Sequence, residues 1–144
     1  MASTNTYVTV EDIRLYILDR SIEDNADWDK DLSFSDEEIM AAMERAAREY
    51  NSIPPFVSSA SAECLPKDTN MFFDATAQQL YIAEVNRASR NDIDFDAGGV
   101  TTSIEAKRID HMRRLAAEHG ENFKEAARAR KITQNWMEGF GRVG

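Results

Sequence analysis

At 144 residues and 16.3 kDa the chain is long enough for one hydrophobic core and too short for two. Its 42% apolar and 30% charged residues match a globular domain and exclude a disordered or fibrous chain. A net charge of −9 repels phosphate and argues against sequence-specific DNA binding, and no apolar run is long enough to span a bilayer.

The first residues, Met1-Ala2-Ser3-Thr4-Asn5-Thr6, lack the basic start and apolar stretch of a signal peptide. Cys64 is the single cysteine, so no intramolecular disulfide can form. Both features lead us to expect a soluble protein made in a reducing cytoplasm. The charge is unevenly spread. Residues 1–60 hold 13 acids and 5 bases, and residues 104–144 hold 6 acids and 9 bases. Opposed halves of this kind favour head-to-tail attraction between copies.

Thr9 and Asp12 form a capping box with a short acid, and Ile13, Tyr16, Ile17 and Arg20 repeat behind it at helical spacing. This predicts a first helix of about three turns. The acidic stretch from Glu23 to Asp31 reads as a surface loop, with Trp28 as its anchor to the core or as an interface residue. Ser35 and Glu38 form a second capping box, with Phe34 and Ile39 placed as a hydrophobic staple. Ile39, Met43, Ala46, Ala47 and Tyr50 mark one face of the second helix, and Pro54-Pro55 ends it. Residues 57–70 are small and polar, and read as a long loop.

A third helix is expected over residues 71–89, where Phe73, Ala77, Leu80, Tyr81 and Val85 trace a stripe that Phe72 and Ile82 widen. Apolar residues nearly encircle it, so it should be the central element. Ile93 and Phe95 then alternate with Asp92, Asp94 and Asp96, which suggests a short β-like excursion near 92–102 with a turn at Gly98-Gly99. Thr102 and Glu105 look like another capping box. It would open a fourth helix with Ile104, Ile109, Met112, Leu115 and Ala116 inward, stopped by Gly120 at its C′ position. A fifth helix should run through Phe123, Ala127 and Ile132 to about Trp136. Three glycines in the last eight residues argue for an extended C-terminal arm. The expected fold is therefore all-α: a bundle of about five helices over residues 1–135, with residues 136–144 as an arm.

Chemistry is thinly represented. Asp94, Asp96 and Glu105 fall at positions 1, 3 and 12 of a possible EF-hand loop, with Gly99 at position 6. Gly98 and Thr101 depart from that pattern, so a calcium-responsive module is kept only as an alternative and no metal site is assigned. His111 and His119 lie roughly 80° off a common helix face and offer no metal geometry. Paired acids such as Asp27, Asp29 and Asp31 sit in a hydrophilic loop where neither pKa would be displaced. No phosphate-binding glycine loop, nucleophile elbow or Cys-x-x-Cys pair is present. We expect no enzyme and no cofactor.

What stands out is apolar side chains on segments that cannot shelter them. Ile53, Pro54, Pro55 and Phe56 lie outside any predicted helix. Trp136, Met137, Phe140 and Val143, with Arg142, lie in or beside the glycine-rich tail. Large apolar and aromatic side chains in such places are typical interface anchors, so these nine residues are the candidate partner-binding set.

The order of the motifs adds a resemblance. A capped helix runs into Tyr50-Asn51-Ser52-Ile53-Pro54-Pro55, followed by a helix with Ala75-Thr76-Ala77-Gln78-Gln79-Leu80. Then come Arg90-Asn91-Asp92, Gly98-Gly99-Val100, a Lys/Arg-rich helix and a Gly-Phe-Gly ending. Over roughly residues 8–144 this resembles the head-tail connector, or adaptor, proteins of tailed phages. The resemblance implies a structural virion protein in the neck region, about a dozen copies in a ring between portal and tail or stopper protein, with the genome passing through the lumen. It also implies a C-terminal arm embracing the portal. A small helical interaction or regulatory protein is the other alternative.

Overall fold

The computed structural model describes residues 6–17, 34–56, 59–67, 69–93 and 101–141. Among them it is mostly helical, with four α-helices: α1 (Val10–Tyr16), α2 (Asp36–Asn51), α3 (Met71–Ile93) and α4 (Thr101–Gly141). The all-α expectation holds.

Both N-terminal capping boxes form. Thr9 Oγ1 accepts from the Asp12 amide at 3.2 Å, and Asp12 Oδ2 accepts from the Thr9 amide at 3.0 Å. Ser35 and Glu38 make the same reciprocal pair at 3.1 and 3.3 Å. Each box satisfies two amides that a helix start otherwise leaves unbonded. Phe34 and Ile39, the staple pair, are both buried in the main core. The expected stripe of α2 is buried in full, with Ala42 added. The described part of α1 is two turns long, and Trp28 lies outside the described residues.

Residues 57–70 are not the open loop their composition suggests. Asn51 clasps the backbone of Ala60 from both sides, donating to its carbonyl at 2.9 Å and accepting from its amide at 2.6 Å. A single 3-10 turn, Ala62–Cys64, follows. Leu65 is fully buried, its carbonyl accepts from the Val8 amide at 2.8 Å, and Lys67 donates to Thr6 at 3.2 Å. The N-terminal segment and this stretch thus bridge in antiparallel fashion at Tyr7 and Pro66. One apolar side chain, Leu65, supplied the driving force, and its neighbours hid that from a reading by composition.

α3 begins with seven consecutive buried residues, from Met71 to Ala77. They pack against α1 and α2 on one side and α4 on the other, so the expectation of a central helix is met. Ile82 is exposed, so the predicted widening of the stripe fails there.

The C-terminal half departs most from expectation. Residues 92–93 end α3 and residues 101–102 begin α4, so the described ends of the expected β-like excursion are helical; residues 94–100 lie outside the described set. Thr102 falls inside α4 rather than capping it. No break occurs at Gly120, and the expected fourth and fifth helices are one. The helix also runs across the expected boundary at 135/136 as far as Gly141, so the described part of the arm is not extended.

Gly120 explains part of this. It is buried, and a Cβ built on it would lie 2.8 Å from Gln78 Cδ and closer still to Nε2. The glycine is there to admit the side chain of α3, not to end a helix. It costs about 1 kcal/mol of helix propensity, which the packing around it on both sides outweighs. α4 lies antiparallel to α3: Val85 meets Ile109 and Met112 at one end, and Asp74 meets His119 further along. At ~1.5 Å per residue α4 is about 60 Å long and α3 about 35 Å, so α4 projects past its partner.

Candidate functional site

The buried stripe of α4 runs Ile109, Met112, Ala116, Gly120, Phe123, Ala127, Lys131 at three- and four-residue steps. Among the described side chains it ends at Lys131, although the helix continues for ten more residues. At ~100° per residue, Ile132, Thr133 and Trp136 fall on the side of the helix away from that stripe, and Met137 falls on its flank. They line a shallow, open apolar surface. Trp136 is 64% exposed, Met137 71% and Ile132 54%. Ile132 was expected to face inward, and the helix register turns it out. Trp136 and Met137 are exposed as anticipated. Phe140 lies on the last turn of α4, and Arg142 and Val143 lie outside the described residues.

The other expected docking segment sits at the end of α2. Ile53 is half-buried against the core, Pro54 is exposed, Pro55 is half-buried, and Phe56 is 75% exposed. The Pro54–Pro55 peptide bond is cis. Lys131 anchors the segment to α4. Its Nζ donates to the Ile53 carbonyl at 2.5 Å, stands 4.5 Å from the centre of the Tyr50 ring and 5.9 Å from that of Phe56. The side chain is fully buried, and burial pulls its pKa below the usual lysine range. A cation here keeps part of its stabilisation from a carbonyl dipole and an aromatic face rather than from a carboxylate. The segment 53–56 therefore meets α4 at Lys131, and Trp136 and Met137 lie one to two turns further along the same helix.

A second polar group joins three helices. Tyr16 of α1 donates to Asp74 Oδ1 at 2.5 Å, and Nδ1 of His119 on α4 lies 2.9 Å from the same oxygen. Tyr81 stacks on the His119 ring at 5.8 Å and 11°, and Phe73 packs on Tyr16 at 5.3 Å. Burial, then the bond to Asp74, push the Tyr16 hydroxyl above the ordinary tyrosine range. The cluster has an acid, an imidazole and a phenol, but among the described residues no serine or cysteine is hydrogen-bonded to the imidazole. Asp74 uses one oxygen to tie α1 and α4 to α3, which is a positioning role. Sequence reasoning missed both Lys131 and this cluster. The signal for Lys131 was its place in the α4 stripe, four residues after Ala127; for Asp74 it was an acid between apolar neighbours.

Among the described residues no group of three His, Cys, Asp or Glu side chains could hold a metal ion. Glu105 lies on the second turn of α4, while Asp94 and Asp96 fall outside the described set. Cys64 is exposed. Among the described residues no helix is long and apolar enough to cross a membrane.

Fold and site define an all-helical protein whose distinguishing surface is apolar and displayed on a projecting helix. No family model, curated protein or solved structure matches the chain.

Proposed function

We propose that this chain is a structural subunit of a tailed-phage virion, a head-tail connector that assembles in many copies between portal and tail. The observation that carries the proposal is the projecting end of α4, where Trp136 and Met137 are more than half exposed while the core behind them is closed. Exposed aromatic and thioether side chains on a rigid helix are anchors for a partner's groove. The tip from Trp136 onward, with Arg142 and Val143, and the segment Ile53-Pro54-Pro55-Phe56 are the docking elements, and the portal and the tail or stopper protein are the partners. A helical tip through Gly141 needs less ordering on docking than an extended arm, which favours affinity. The net charge of −9 suits a lumen through which a genome slides without sticking.

The test is native mass spectrometry of the chain mixed with the portal protein encoded in the same genome. A stoichiometric complex is expected for the full chain. It should be lost on deleting residues 136–144, with the thermal midpoint of the free chain unchanged, because the last buried residue of α4 among the described side chains is Lys131. Failure of the full chain to join the portal overturns the proposal.

A further inference from the structure

The outer face of α4 carries a definite order of charge. Glu125, Arg128, Ala129, Ile132 and Trp136 follow one another at one-, three- and four-residue steps along one side of the helix, and all five are exposed. The outer face of α2 carries the complement. Glu37, Met40, Ala41, Glu44 and Arg48 are exposed in the same rhythm, on the side away from Ile39, Met43, Ala46 and Tyr50. Set antiparallel in one register, Glu125 meets Arg48, Arg128 meets Glu44, Ile132 meets Met40 and Ala41, and Trp136 covers the turn beginning at Glu37. Both charge pairs have opposite signs and the apolar residues coincide. A shift by one turn would place Arg128 against Arg48 or Glu125 against Glu44. The whole-chain asymmetry has the same sense: residues 1–60 are acidic in balance and residues 104–144 basic.

We infer that α4 of one copy packs antiparallel on α2 of the next, in the register that pairs Arg128 with Glu44. The inference rests on the reading of the chain as a multi-copy subunit, and it assigns residues 125–132 to the second copy, with Trp136 at the junction where that copy and the portal meet. It leaves Met137 and the tip beyond for the portal. Both faces belong to one molecule yet differ from each other, so the contact is heterologous. Each added copy presents a fresh pair of faces, and the chain of copies closes into a ring where the rotation permits. The central apolar contacts supply the affinity, and the flanking charges select the register.

Thiol cross-linking tests the register. In a Cys64→Ser background, Met40→Cys protein is mixed with Ile132→Cys protein and oxidised mildly, concentrated alone and again with portal protein. A linked dimer is expected from this mixture. It should not form from Met40→Cys alone, nor from Met40→Cys with Lys124→Cys, whose thiol would lie about two turns along α4 from Ile132. Arg128→Glu in the second protein should abolish the link, and Glu44→Arg in the first should restore it. Absence of the link in both samples, or an equal yield from the Lys124→Cys pair, overturns the inference. If the portal complex forms without the link, the connector reading survives and only the pairing fails. If the link forms without portal binding, the pairing stands and the connector reading fails.

Discussion

Asp74 accepts from side chains on two other helices, so losing its carboxylate releases both at once. Asp74→Ala should destabilise the fold by about 2–4 kcal/mol, because the Tyr16 hydroxyl and the His119 ring are left part-buried without their acceptor. Tyr16→Phe removes a single bond and should cost about 1–2 kcal/mol. Chemical denaturation measures both, and a loss near zero for Asp74→Ala would show that water replaces the carboxylate. The raised pKa of Tyr16 has a sign that can be checked. The unfolded tyrosine ionises near pH 10 while the folded one still holds its proton. Its contribution is therefore complete below about pH 10 and is lost as pH rises above that value. Stability followed from pH 9 to 11 should fall more steeply for the wild-type chain than for Tyr16→Phe.

Lys131 is the opposite case. Its amine is held charged against a desolvation cost, so Lys131→Met, which keeps the stem, should change global stability by no more than about 1 kcal/mol. Lys131→Ala also opens a cavity and should cost about 2–4 kcal/mol. In both variants hydrogen exchange at residues 53–56 should quicken, since the amine no longer holds the Ile53 carbonyl. Unchanged exchange there would remove the anchoring role.

At the scale of elements, α1 and α2 start where Thr9-x-x-Asp12 and Ser35-x-x-Glu38 say they should. A capping box is a contact between residues three apart, and nothing distant can rearrange it. α2 likewise ends before Pro54, for a reason local to the chain. The opposite holds for α4. Gly120 and the glycines near the C-terminus are poor helix residues, and local propensity alone argues for two helices and an arm. The helix runs through Gly120 because Phe123, Ala127 and Lys131 continue the buried stripe that Ile109, Met112 and Ala116 begin, and this tertiary burial outweighs about 1 kcal/mol at that glycine. The close fit of Gly120 with Gln78 gives a prediction. Gly120→Ala should stabilise the chain by about 1 kcal/mol more in a Gln78→Ala background than in the wild type, because only there does the new Cβ find room. A double-mutant cycle measures the coupling, and additivity within about 0.3 kcal/mol would place Gln78 elsewhere.

For the whole molecule, the closed core and the exposed helix end are energetically separate. Trp136→Ala and Met137→Ala should each leave the free chain within about 0.5 kcal/mol of wild-type stability while lowering the yield of the portal complex. A fall in the thermal midpoint comparable to that of Asp74→Ala would instead make Trp136 a core residue. The proposed pairs of Arg128 with Glu44 and of Glu125 with Arg48 lie on exposed faces, so added salt should screen them and lower the yield of the Met40–Ile132 cross-link.

Class, the Thr9 and Ser35 capping boxes and most of the core were determined by the sequence itself, because helical period and capping contacts span only a few residues. The exposure of Trp136, Met137 and Phe56 was also legible, since large apolar side chains near glycine or proline stand out without any knowledge of the fold. Three decisions belonged to the tertiary structure alone. Leu65 drew an apparent loop into the core, Gly120 served close packing instead of termination, and Lys131 turned its amine inward to hold residues 53–56. Each depends on a partner between 42 and 78 residues away, and no local pattern can encode what such a partner offers until the chain has brought it near.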